Sequence, residues 1–477
     1  MILEQIKLLM PEIIIATGIC TMVLSSSIKI ISSKLISQII AAVTLMAATA
    51  SAIFLLPSES QYLFDYQVII DPLTSGLRIS SYVIVLIVIF GTDVNEKINQ
   101  NELFLIELFA TLGISIICSA ANLLIIYLGL EILALSLYTL VASNKHSIES
   151  TEAGMKFFIL GAIASAVFLY GISLIYGTYG TLNIHEINSI DSTNTLETQI
   201  ALGFLLCGIA FKFGAIPFHT WVPDAYQGAS TSAALFLSTA PKIAAFALLY
   251  RILIDGFMAI SETWTIMIQV LGILSLILGN LIAISQTNMK RLLGYSAIGH
   301  VGFIFLGIST GTKNGLESSL FYVLIYVLMM ITAFMSLEVL SSKKHKVELI
   351  SDLKGLNNSH PWFALIMLFV MFSMIGIPPF AGFFAKWSIL TSLIDANMIY
   401  TAIIAIVMSV VAAFYYLRVV WYIYFEKTEL SISQIGSSSL QQITVSCVGL
   451  FLLFLGLMPK PLLDFCTKII SSKLLID

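Results

Sequence analysis

Phe211-Lys212-Phe213-Gly214-Ala215-Ile216-Pro217-Phe218-His219-Thr220-Trp221-Val222-Pro223-Asp224-Ala225-Tyr226 is the stretch whose reading decides the fold. It ends one apolar run, sets Lys212 inside it, breaks it with Pro217, and leads into a further apolar segment that holds Lys242. A cation where lipid or a packed bundle belongs needs a physical cause. Proline removes a backbone donor and clashes with the preceding turn, freeing carbonyls that lipid cannot satisfy. The stretch therefore reads as a broken membrane helix whose break faces protein or water.

The rest of the chain agrees with that setting. Of 477 residues, 58% are hydrophobic and 10% charged, where a soluble globular chain carries about 25% charge. Apolar runs of about 20 residues recur from end to end, which predicts an all-α polytopic membrane protein of about fourteen spans. Short alternating strands, the mark of a membrane barrel, are missing from the pattern. Met1 to Lys7 carries no basic region followed by a small-residue cleavage site, so the first apolar run is expected to stay as a span. Cys20, Cys118, Cys207, Cys447 and Cys466 stand apart in or beside apolar runs and read as packing residues.

Span boundaries follow from the polar interruptions. The first two spans are expected at about 9–26 and 35–55, then about 73–91 after Asp71-Pro72, with Pro57-Ser58-Glu59-Ser60 as a polar interval. Spans four and five, about 103–120 and 122–141, hold Glu107 and Glu131. The sixth begins near Lys156, the seventh reaches the opening stretch, and the eighth, about 230–252, holds Lys242 and ends near Arg251. Lys290-Arg291 precedes the tenth, which contains His300; the twelfth begins near Trp362, and Lys460 to Asp477 forms an amphipathic tail. Lysines after spans one, three, five, nine and eleven (Lys29, Lys97, Lys145, Lys290, Lys343, Lys344, Lys346 and Lys354) put those loops on the cytoplasmic side and both termini outside.

A second interruption, Gly376-Ile377-Pro378-Pro379-Phe380 followed by Lys386, resembles Ala215-Ile216-Pro217-Phe218 with Lys212. It falls five spans later, and an odd interval makes equivalent helices cross in opposite directions, the inverted-repeat pattern of transporters with interrupted helices. The repeat predicts four parts: an N-terminal three-helix addition (about 1–102), a first unit (about 103–252), a second unit (about 264–423), and a last helix with its tail (about 424–477).

Buried lysines suit proton transfer, because desolvation favours the neutral form and a nearby carboxylate the charged one. Glu131 is the expected partner of Lys212. A proton released there would pass toward Lys242, then by His300 or water to Lys386 and an exit. Competing structural readings are a register-fixing Glu131–Lys212 pair, snorkelling of Lys242 or Lys386, and a satisfied structural His300. Glu107 fits a structural role as well as a functional one, Lys156 caps or anchors a helix, Lys290 and Arg291 anchor headgroups, and Asp71 and Asp224 organise helix ends. His219, beside Trp221, suits an interface. No nucleotide-binding loop, paired-histidine metal motif, hydrolytic triad or basic aromatic nucleic-acid surface stands out, so redox chemistry coupled to this chain belongs in a partner.

With these residues in view, the chain resembles the antiporter-like membrane-arm subunits of respiratory complex I (NADH-quinone oxidoreductase), most closely the N branch related to mitochondrial NADH dehydrogenase subunit 2. The resemblance runs nearly the whole length and is carried by Gly129-Leu130-Glu131-Ile132-Leu133-Ala134-Leu135-Ser136-Leu137-Tyr138, by Phe211 to Gly228, by Lys290-Arg291-Leu292-Leu293-Gly294-Tyr295-Ser296-Ala297-Ile298-Gly299-His300, and by Gly376 to Lys386. It implies a fold of two inverted five-helix repeats with helices 7 and 12 broken. It also implies that Glu131 and Lys212 are the coupling pair, Lys242 the central relay and Lys386 the relay toward the outside. The implied protein is a non-redox, proton-translocating subunit in the bacterial inner membrane, with other membrane-arm subunits, lipid and protons as partners. NADH, flavin, iron-sulfur clusters and quinone would bind to partner subunits, and no cofactor to this chain. A cation/proton antiporter subunit and a mainly structural membrane-arm subunit are the alternatives.

Overall fold

The computed structural model describes residues 2–27, 34–57, 59–92, 100–189, 195–341, 346–427 and 436–474. Its helices run α1 (Ile2–Leu8), α2 (Met10–Ser27), α3 (Lys34–Phe54), α4 (Pro72–Gly91), α5 (Gln100–Ser119), α6 (Leu123–Val141), α7 (Ile148–Tyr179), α8 (Ile184–Ser189) and α9 (Leu196–Phe213). They continue as α10 (Trp221–Gly228), α11 (Thr231–Ser238), α12 (Ala240–Gly256), α13 (Ser261–Ile284), α14 (Met289–Ile308) and α15 (Lys313–Leu340). Last come α16 (Leu356–Ser359), α17 (Pro361–Ile375), α18 (Ala381–Asp395), α19 (Ile399–Tyr424), α20 (Ser439–Leu457) and α21 (Lys460–Leu474). Twelve helical segments of the described residues are long and apolar enough to cross a membrane, and Met10–Ser26 and Pro361–Ile375 are shorter apolar helices beside them. The chain is a predominantly helical, multi-pass membrane protein.

Local chemistry sets the helix starts. Asp71 caps α4, its carboxylate accepting from the Thr74 amide at 2.7 Å, ahead of Pro72 in the first turn. Ser147 caps α7 by accepting from the Ser150 amide, so this helix starts eight residues before Lys156 and not at it. Thr195 does the same for α9. The apolar pattern overlooks such caps, because polar first turns look like loop. The interval after Pro57 also differs from expectation: Gln61–Leu63 (β1) pairs antiparallel with Val68–Ile70 (β2), the connection holding Phe64, Asp65 and Tyr66 at positive φ.

Between α11 and α12 the eighth span is interrupted at Thr239, where φ is −116° and ψ −98°. Pro241 then occupies the first turn of α12, so Lys242 lies early in its own helix yet midway along the Thr231–Gly256 span. That span and α15 form the core, almost wholly enclosed by other helices, while α7 and α19 present large apolar side chains such as Ile159, Tyr170, Val410 and Phe414 outward, as lipid requires.

At one end of the bundle, Arg251 of α12 braces α4 and α5. Its guanidinium donates to Asp71 at 2.8 and 2.9 Å, to Asp255 at 2.8 Å, to Thr74 Oγ1 at 2.7 Å, and to the Cys118 carbonyl. A second buried pair, Arg78 of α4 with Glu12 of α2, ties in the first helices, and Ser115 of α5 also donates to Glu12. The C-terminal α21 packs against α15 and α4, burying Cys466 and Ile469. The loop positions Lys29, Lys97, Lys343 and Lys344 lie outside the described residues.

Candidate functional site

Both glycine-proline interruptions end a helix in the same way. Gly214, at φ +74°, follows α9; its amide donates to Phe211 O at 2.9 Å and the Ala215 amide to Ala210 O at 2.8 Å. Gly376, at φ +87°, follows α17; its amide donates to Ser373 O at 3.0 Å and the Ile377 amide to Phe372 O at 3.2 Å. These are matching Schellman ends, with glycine where the left-handed backbone excludes a side chain. Serines supply further closure at each break: Ser275 Oγ accepts from the Ile216 amide at 2.9 Å, and Ser373 Oγ from the Gly382 amide at 3.1 Å.

A Schellman end leaves the last helical carbonyl open, and at both breaks a buried lysine fills that position. Lys242 Nζ donates to Phe213 O at 2.7 Å, and Lys386 Nζ to Ile375 O at 2.7 Å. The two lysines come from different places, Lys242 from α12 after the first break and Lys386 from α18 within the second interrupted span. Each meets the carbonyl just before its glycine. An aromatic face completes each seat, with Lys242 Nζ 5.7 Å from the Trp221 ring and Lys386 Nζ 5.3 Å from the Phe303 ring. Lys386 also donates to Ser409 Oγ of α19 at 2.8 Å. With 1% and 7% exposure, neither lysine snorkels.

Lys212 lines an apolar cavity of about 20 Å³ with Leu130, Leu133, Phe157, Trp221 and Pro241, space for about one water molecule. Glu131, one residue from Leu130 on α6, accepts from Ser165 Oγ of α7. Among the described ion pairs none joins Glu131 to Lys212, so the expected partners have no direct bridge.

His300, buried on α14, bonds at both ring nitrogens: Nδ1 with Tyr322 Oη at 2.8 Å and Nε2 with Tyr416 Oη at 3.1 Å. Tyr415, beside Tyr416, donates to Asn280 Oδ1 at 2.9 Å. The histidine is thus held in a buried hydroxyl network between α14, α15 and α19, a setting compatible with fixed structure and with proton exchange.

The remaining singled-out residues divide by burial. Glu107 is fully buried on α5, and neither carboxylate oxygen has a hydrogen-bond partner among the described residues. Asp224, in the first turn of α10, pairs with Arg291 at 2.7 Å and Lys156 at 3.3 Å. His219 is partly exposed in the break. Lys290 departs from the headgroup-anchor expectation: it is 5% exposed and donates to Ala229 O at 2.9 Å, because the first turn of α14 lies against the α10–α11 connection. Sequence reasoning missed Ser165, Ser275, Ser409, Tyr322 and Tyr416, whose only sign was a hydroxyl within an apolar run.

These features define a class: a multi-pass helical membrane protein in which interrupted helices seat buried lysines, Lys242 and Lys386, in its interior. Residues 120–414 match the family described as "NADH:quinone oxidoreductase/Mrp antiporter, TM". A curated relative from Acidithiobacillus ferrooxidans, NADH-quinone oxidoreductase subunit N, is 42% identical over 463 residues, 96% of each chain. A chain of respiratory complex I from Thermus thermophilus with bound aureothin shares the fold at a TM-score of 0.83 and 30% identity, over 95% of this chain and 98% of that one. A chain of the Mrp complex from Dietzia shares the fold at 0.84 and 19% identity, over 98% of this chain and 97% of that one. The chain belongs to the NADH-quinone oxidoreductase subunit N family, within the antiporter-like membrane proteins.

Proposed function

We propose that the chain is a proton-translocating membrane-arm subunit of an NADH-quinone oxidoreductase in the bacterial inner membrane, moving protons along Glu131, Lys212, Lys242, His300 and Lys386. The observation that carries the reading is the seating of Lys242 and Lys386 on the open carbonyls of the two helix breaks. An ammonium inside a membrane protein is costly, and these two are placed where the backbone is already interrupted. Lys212 lines a small cavity beside α6, the helix that carries Glu131, and a contact between the two side chains would form or loosen as a proton arrives or leaves.

The two breaks are the centres of two inverted units, α5 to α12 and α13 to α19. Support comes from the matching Schellman ends and from a shared pattern of close packing. In the first unit, a Cβ on Gly113 of α5 would lie 2.8 Å from the Leu133 amide nitrogen of α6; in the second, one on Gly302 of α14 would lie 2.8 Å from Gly272 O of α13. NADH oxidation and quinone reduction take place in partner subunits, with their flavin and iron-sulfur clusters, and this chain contributes no redox step. The first 102 residues and the last helix frame the two units.

The test is Lys212→Met and Lys242→Met in the assembled complex, reconstituted in vesicles, with proton uptake measured against NADH oxidised. Pumping lost with assembly intact is the expected result. Undiminished protons per electron would leave only the structural membrane-arm role. The family description and the shared Mrp fold support one second reading, a cation/proton antiporter subunit. Cation-dependent proton exchange by an assembly lacking redox subunits would favour it.

A further inference from the structure

We infer that Ser409 is a positioning residue for Lys386, holding its amine at the second helix break in both protonation states; this rests on the reading of Lys386 as a proton carrier. Lys386 Nζ, Ser409 Oγ and Ile375 O form a closed triangle, with Nζ 2.7 Å from the carbonyl and 2.8 Å from the hydroxyl, and the hydroxyl 3.5 Å from the carbonyl. The Phe303 ring stands 5.3 Å from Nζ.

The chemistry of the three partners differs. A carbonyl only accepts, so Ile375 O serves an N–H of either the ammonium or the neutral amine. A ring face attracts the cation and does little for the amine. A hydroxyl both donates and accepts. Ser409 accepts from the ammonium and, by rotating about its own C–O bond, donates to the lone pair that appears when the proton leaves. No heavy atom moves when its role reverses. The ammonium has three N–H groups; carbonyl and hydroxyl take two, and the third is left for the group that delivers or removes the proton.

Lys242 gives the comparison within the same chain. Among the described residues its amine meets the Phe213 carbonyl and the Trp221 face, and no hydroxyl. Ser409 therefore distinguishes the second lysine from the first, and it sits on α19. The hydroxyl links protonation of Lys386 to the registration of α18 against α19.

The experiment compares Ser409→Ala, Ser409→Thr and Ser409→Val in the assembled complex in vesicles, with proton uptake and NADH oxidation measured per assembled complex across pH. Threonine and valine have nearly the same shape and differ by the hydroxyl. Loss of one such hydrogen bond corresponds to about a three- to tenfold slower coupled turnover. We expect that loss, with a displaced pH profile, in the alanine and valine variants, and recovery of rate and profile to within about twofold of the parent in the threonine variant. Parent-like alanine, or threonine no better than valine, overturns the assignment. Lys386→Met separates the two levels. If it leaves pumping intact, the reading of Lys386 fails; if it abolishes pumping while the Ser409 variants match the parent, only the role of Ser409 fails.

Discussion

Arg251 shows how one side chain serves as structure where a charge in an apolar run suggests function. It is 1% exposed, and its acceptors come from α4, α5 and its own helix. Interhelical hydrogen bonds in membranes average only about 0.6 kcal/mol, but Arg251 is the counter-charge of two carboxylates. Breaking a buried pair from one side typically costs about 3–5 kcal/mol. Arg251→Met is expected to lower stability by about that amount, read as thermal unfolding of the purified protein in detergent. Neutralising the carboxylates as well, with Asp71→Asn and Asp255→Asn in the same chain, should recover most of the loss. An unchanged melting temperature for Arg251→Met would show the bridge to be energetically idle. Asp71 was legible from sequence as a helix cap, since Asp-Pro before an apolar run has a local reason. Its pairing with Arg251, 180 positions away, has no local sign. The same contrast holds at the site: lysines in apolar runs announce themselves, whereas Ser409 and Ser165 look like any serine satisfying its own helix.

At the scale of the elements, the helix breaks were readable and the helix approaches were not. Glycine with proline inside an apolar run has few explanations, so both breaks could be placed to within a residue or two. Glycines in intact helices are ambiguous until a neighbour is known. Gly113 meets the α6 backbone, and a Cβ there would lie 2.8 and 2.9 Å from Leu133 N and Gly129 O. Gly302 meets the α13 backbone in the same manner, at 2.8 Å from both Gly272 O and Leu276 N. Backbone cannot yield as a flexible side chain can, so the helix pairs must separate to admit a methyl group. Gly113→Ala and Gly302→Ala are each expected to cost about 1–3 kcal/mol, measured as lowered thermal stability and reduced assembled protein. Comparable losses fit two units built on one plan. A loss in only one of them would mean that the likeness ends at the breaks.

The whole molecule has two chemically distinct ends, and the direction of any proton path depends on which faces the cytoplasm. At one end, the loops after α13 and α15 are joined, with the Met289 amide donating to Glu348 O at 2.7 Å and Ile350 to Thr287 O at 2.9 Å. Arg418 of α19 donates to Ile284 O and Gln286 O at the same place. Lys346 and Lys354 belong to this end, and the Asp224–Arg291–Lys156 cluster lies at the start of α14 and along α7 nearby. At the other end, the Ala121 amide donates to Gln67 O, and Leu123 and Ile184 exchange bonds with Leu182 O and Ala121 O, binding the β1–β2 hairpin to α8. The excess of lysine in the sequence predicts that the first end faces the cytoplasm. In a chain whose five cysteines are replaced by alanine, Ser351→Cys should then react with a membrane-impermeant maleimide only from the cytoplasmic side, and Asn188→Cys only from outside; both positions are exposed. With that result, Asp224 and its two cations would stand at the intake, and α18, which carries Lys386, would run toward the outer end. Labelling from the opposite sides would reverse the polarity of the path while leaving its residues in place. It would also make Lys386 the first lysine that an entering proton meets, in place of the last.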